Sequence, residues 1–84
     1  MTAIEPWLLA IIAKQAGVEE SEISGATKLA DDLKLDSLDE IEIVMEIEEA
    51  KDVVIPADDW LPEGATVADM AAAVEKIIAG KVSA

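Results

Sequence analysis

Apolar residues recur at helical spacing over residues 2–16, where Ile4, Leu8, Ile11, Ile12 and Gln15 fall on one side. Thr2-Ala-Ile-Glu5 fits a capping box. Pro6 is comfortable only in a first turn, so the regular helix is expected to start nearer Glu5. Gly17 suits its C-terminal cap. Trp7 and Leu9 lie outside the stripe and are expected to cover the C-terminal helix, with an extra contact surface as the alternative. A second helix spans residues 36–50, with Asp36 or Ser37 as its cap. It carries two apolar stripes where a surface helix usually carries one. Ile43, Val44, Ile47 and Ala50 share one side. Leu38, Ile41 and Met45 lie nearly opposite, interleaved with Glu42, Glu48 and Glu49. One stripe can face the core, and the other is left facing outward, rimmed by acid. A third helix runs from Thr66 to Ala79, with Val67, Met70, Ala71, Val74, Ile77 and Ile78 on one stripe and Gly80-Lys81 at its end.

The stretches between are less periodic. Val18 to Leu35 reads as a long ordered loop, anchored by Ile23, Leu29 and Leu33, with Ser21 and Ser24 as turn and cap formers and Gly25 permitting a positive φ. Val54-Ile55 has no second strand to pair with and is not read as a strand. Ala57 to Leu61 is expected to make one helical turn, broken by Pro62 and Gly64. The fold class predicted is all-α: a small up-and-down four-helix bundle of three long helices and one short one, with a long first loop, in one domain over residues 1–84.

Charge narrows the partners. The chain has 19 Asp and Glu against 6 Lys and Arg, a formal net charge of −13. Nucleic acid and anionic membrane surfaces are poor partners for it, because phosphate binding needs basic surface. A basic protein surface is favoured. There is no Cys and no His, which removes Ser–His and Cys–His catalysis, thiolate metal sites and disulfides. No apolar run approaches the roughly 20 residues that span a bilayer. The N-terminus lacks the basic flank of a signal peptide. A cytoplasmic monomer is expected.

Asp31, Asp32, Asp36, Asp39 and Glu40 crowd the turn before the second helix. An EF-hand is excluded, because its central Gly is missing and the acidic spacing is wrong. No metal site is predicted, although carboxylates this crowded can bind divalent cations weakly. A very small carboxylate enzyme, using Asp31 with Asp36, would need a pocket that nothing in the sequence marks. Ser37 has no His to activate it and is more credible as a group that gets modified than as a nucleophile.

Asp36-Ser37-Leu38, followed by Asp39, Ile41, Glu42, Ile43, Val44, Met45 and Glu48-Glu49, resembles the acyl carrier proteins. The resemblance extends from Ile4 to about Ile78. It implies that Ser37, flanked by Asp36 and Leu38, carries 4′-phosphopantetheine as a phosphodiester. It implies too that the arm holds acyl groups as thioesters, and that the protein is a carrier and not an enzyme. The implied partners are a phosphopantetheinyl transferase and acyl synthases or transferases with basic docking patches. On this reading Ile41 and Met45, with Leu38, dock apolar partner surface, while Asp39, Glu42, Glu48 and Glu49 pair with basic residues around them. Fatty acid, lipid, polyketide, aminoacyl and D-alanyl cargo all use such carriers, and the acidic helix leans towards acyl cargo. A pure interaction module, with Ser37 as a plain cap and no prosthetic group, is the alternative. Leu29 and Lys51 stand where the family commonly has aromatic residues. Val53 or Val54 is expected to fill the second place, leaving a roomier or reshaped cargo pocket unless Trp60 or Leu61 closes it.

Overall fold

The structure is a computed structural model that describes residues 4–56 and 60–82. Three α-helices are present among these residues: α1 (Pro6–Ala16), α2 (Ser37–Lys51) and α3 (Val67–Val82). Pro6 takes the first helical position, where a missing N–H costs nothing, and Glu5 is the N-cap. The expected Thr2 capping box lies outside the described residues. Gly17 ends α1 in the left-handed region, at φ 71°, with its N–H donating to the Ala13 carbonyl.

The core gathers one face from each helix. Leu8, Ile12 and Ala13 come from α1, Ile43 and Ile47 from α2, and Val67, Met70, Ala71 and Val74 from α3. Ile77 and Ile78 are only partly buried. Ala50, expected on the buried side of α2, is exposed; the inward stripe of that helix stops at Ile47. The last helix also departs from expectation. It runs through Gly80 to Val82, since a helical glycine costs only about 1 kcal/mol. A Cβ at Gly80 would meet nothing within 4 Å, so no packing depends on that glycine.

The long first loop is ordered by hydrogen bonds to the start of α3. Leu29 N–H donates to the Ala65 carbonyl, Val67 N–H to Thr27 and Ala68 N–H to Gly25, at 3.1, 2.8 and 3.0 Å. An isolated antiparallel bridge between Lys28 and Thr66 belongs to the same seam, and the described residues contain no strand. These bonds correct the reading of Gly25. It does not use a positive φ. It lies against α3, where an added Cβ would sit 3.4 Å from the Ala68 Cβ. Leu29 and Leu33 are buried as expected, Ile23 only partly, and Leu35 is a further buried anchor. A 3₁₀ turn over Glu20–Glu22 is held by Glu19 and Glu22 in a reciprocal capping box.

That 3₁₀ turn, in the first loop, is a fourth helical element among the described residues. The short helix expected over residues 57–61 is not seen: residues 57–59 lie outside the described residues, and Trp60 and Leu61 form a bend before the Pro62 break. Burial alternates along residues 53–56. Val53 and Ile55 are buried, while Val54 is 85% exposed. Val53 is therefore the residue that points inward. Lys51 places its ammonium 4.6 Å from the centre of the Trp7 ring, a cation–π contact between α2 and α1. Trp7 is partly buried against the core and lines a cavity with Ala71, Val74 and Ile78 of α3.

Lys34, two residues before the α2 cap, has φ 59°. A residue with a Cβ is strained there by roughly 1–2 kcal/mol, which glycine avoids at some cost in chain entropy. Lys34→Gly is accordingly expected to stabilise the fold by about 1 kcal/mol or less. The denaturant midpoint measures it, and a fall in midpoint would show that the lysine side chain contributes more than the strain costs.

Candidate functional site

Helix α2 begins where the long loop delivers it. Asp36 is the N-cap, extended at φ −103° and ψ −174°. Its Oδ1 accepts from Asp39 N–H at 3.0 Å, and Asp39 Oδ2 accepts from Asp36 N–H at 3.1 Å. This reciprocal pair plays the part of a capping box, with Asp at both ends. Ser37 is thus the first helical residue, not the cap, and its side chain is exposed. The Ser37 and Leu38 amides belong to the orphan first turn and make no hydrogen bond among the described residues.

The outward stripe is present. Leu38, Ile41 and Met45 are 70%, 54% and 59% exposed. A groove of about 410 Å³ starts at Ser37 and is lined by Ile41, Val44, Met45, Glu48, Ile55 and Trp60. Ile55 and Trp60 come from the α2–α3 connection, and sequence periodicity on α2 does not reveal them.

The acids expected to line the docking rim are not equivalent. Gln15 at the end of α1 donates from Nε2 to Asp39 Oδ1 at 3.1 Å, and to Glu42 Oε2. It stitches α1 to the first turns of α2, a role announced only by its being polar within an apolar stripe. Glu46 pairs with Lys14 at 3.4 Å on the surface. Glu48 is partly buried, and its carboxylate accepts from Ile55 N–H at 2.8 Å. Glu49 is exposed and has no hydrogen bond or ion pair among the described residues. Asp31 is exposed, and Asp32 is used locally, accepting from Lys28 N–H at 2.8 Å. Among the described residues no three carboxylates converge as a cation would require.

The Gln15 amide, with lesser help from hydrogen bonds at Asp36, holds the Asp39 carboxyl below its ordinary value of 3.8. A group with a depressed folded pKa contributes stability above its unfolded pKa and loses it as pH falls through the folded value. The net charge of −13 acts the other way, because protonating other carboxylates relieves repulsion. The melting temperature is therefore expected to rise from neutrality towards about pH 5, and to fall again below about pH 4 as Asp39 is protonated. Gln15→Ala should weaken the acid-side loss. A melting temperature that only falls on acidification from neutrality would contradict this balance.

An exposed serine at an open helix start, beside an apolar groove and an acid-rimmed stripe, suits a domain that is modified at one hydroxyl and gripped along one helix. The residues present fit a phosphodiester arm. The hydroxyl is accessible, two free amides and the positive end of the helix dipole face an incoming phosphate, and apolar surface lies next to it. Residues 6–74 match the family described as "Phosphopantetheine attachment site". The chain belongs to this family, the phosphopantetheine-bearing acyl carrier proteins, whose domains are non-catalytic carriers. It is 39% identical over 75 residues to an acyl carrier protein of Akkermansia muciniphila, an alignment covering 89% of this chain and 92% of that protein. Among the described residues, no helix is long and apolar enough to cross a membrane.

Proposed function

We propose that Ser37 is the residue that bears 4′-phosphopantetheine, and that this chain is one monomeric carrier domain handling acyl intermediates of fatty acid or related lipid synthesis in the cytoplasm. The observation that carries the reading is the position of Ser37. It is the exposed first residue of α2, presented by the Asp36–Asp39 cap at the mouth of the groove. When bound, the group supplies a thiol on which an acyl chain is carried as a thioester.

The chain's own residues do the rest. Asp36 and Asp39 fix the helix start, so the Ser37 hydroxyl stays accessible. The Ser37 and Leu38 amides are placed to hold a phosphodiester oxygen. With no His in the chain, the base that takes the Ser37 proton has to come from the transferase. Leu38, Ile41 and Met45 form the apolar centre of the docking face, and Glu49 is its most available acid. Asp39 and Glu42, bridged by Gln15, add negative potential along the same edge. Rim charges of this kind set orientation and on-rate more than affinity, which suits a carrier that must leave each partner quickly.

The test is the rate of modification by a phosphopantetheinyl transferase. Met45→Ala and Glu49→Lys should each lower kcat/KM roughly three- to tenfold with helicity intact. Added salt should slow the parent in the same direction. Rates indifferent to both variants and to salt would move the docking face elsewhere.

A further inference from the structure

We infer that Glu48 is a positioning residue: its carboxylate clamps residues 53–56 onto α2, and so sets the wall of the groove that opens at Ser37. Three amides of the chain leaving α2 end on this one residue. The Glu48 carbonyl accepts from the Asp52 and Val53 N–H groups, the latter at 3.3 Å. Its side chain reaches past them to accept from Ile55 N–H at 2.8 Å. Asp52 turns the chain in the left-handed region at φ 53°, which aims the next residues back along the helix. Ile55 is 5% exposed, so its N–H has little access to water if the carboxylate is withdrawn. A buried donor left unpaired is costly, and a bond to a charged acceptor is stronger than a neutral one. Ile55 and Glu48 both line the groove, Glu48 on the same face of α2 as Ile41, Val44 and Met45. Releasing the clamp frees the wall and leaves the helix intact. This gives Glu48 a part different from that of its neighbour Glu49, whose exposed carboxylate faces solvent. The claim about the groove rests on the reading of Ser37 as the attachment site; the claim about the clamp does not.

Two conservative substitutions separate clamp from docking charge. Glu48→Gln keeps the reach and an acceptor oxygen but loses the charge. Glu48→Asp keeps the charge but is one methylene too short. Amide exchange at Ile55, followed by NMR in the unmodified protein, should stay within about threefold of the parent in Glu48→Gln, and quicken about tenfold or more in Glu48→Asp and Glu48→Ala. The modification rate should follow the same order. Exchange unchanged in Glu48→Asp, or as fast in Glu48→Gln as in Glu48→Ala, overturns the clamp. If Glu48→Ala does not fold, the Gln and Asp variants still decide. The gain in melting temperature on loading Ser37 with an acyl chain should shrink in Glu48→Asp and hold in Glu48→Gln. An equal gain in both would overturn the control of the groove. Failure of Ser37 to load at all would instead count against the attachment reading, and the exchange result would stand apart from it.

Discussion

Ser37→Ala is expected to fold like the parent and to take up no phosphopantetheine. The loss of modification is all or none, because the hydroxyl oxygen is the atom that must join the phosphate. The effect on folding is small for a reason visible in the helix start. Asp36, not Ser37, accepts the capping bond, and it does so from Asp39 N–H. Alanine at a first-turn position is a good helix former, so stability should stay within about 0.5 kcal/mol. Asp36→Ala is the contrasting variant. It removes the cap, with a cost of about 1 kcal/mol, while leaving the serine in place. Mass spectrometry after incubation with coenzyme A and a transferase reads the first effect, and circular dichroism the second. A modified Ser37→Ala protein would move the attachment site.

The second large effect separates the two stripes of α2. Ile43 is fully buried, and Ile41, two residues earlier on the same helix, is 54% exposed. Ile43→Ala opens a cavity in the buried core cluster, the kind of change that costs about 2–5 kcal/mol. A domain of this size commonly has only about 5–15 kcal/mol in total. The melting temperature should fall by on the order of 10 °C or more. Ile41→Ala should leave it nearly unchanged, because little surface is buried there in the isolated chain. Its effect is expected instead on the transferase, as a higher KM with the fold intact. Equal destabilisation by the two substitutions would mean that the outward stripe is part of the core.

The contrast also marks what was legible in the sequence. The helix start, the division of α2 into Ile43 and Ile47 inward against Leu38, Ile41 and Met45 outward, and the α3 stripe all follow from 3.6-residue periodicity and local capping chemistry. What periodicity cannot carry is tertiary pairing. Gln15 sits 24 and 27 residues from Asp39 and Glu42, and nothing in its own helix says it will bridge them. Glu48 looked like one more rim acid, since its bond to Ile55 depends on the turn at Asp52. Gly25 looked like a turn glycine, whereas its partner is the start of α3. Helix ends were the weakest point: Gly80 did not stop α3, because a single glycine penalty is smaller than the gain from continuing the helical hydrogen bonds. The Glu20–Glu22 turn escapes a sequence reading, because Glu19 and Glu22 cap each other through a local pattern that reads as plain acidity.

The central claim is that one hydroxyl of this chain carries the arm. The chain has four serines, Ser21, Ser24, Ser37 and Ser83. Wild-type protein, treated with coenzyme A and a phosphopantetheinyl transferase, should gain the mass of one phosphopantetheine and no more. Fragmentation should place that mass on the peptide containing Asp36-Ser37-Leu38. No gain in mass, or a gain placed on any other residue, would contradict the account.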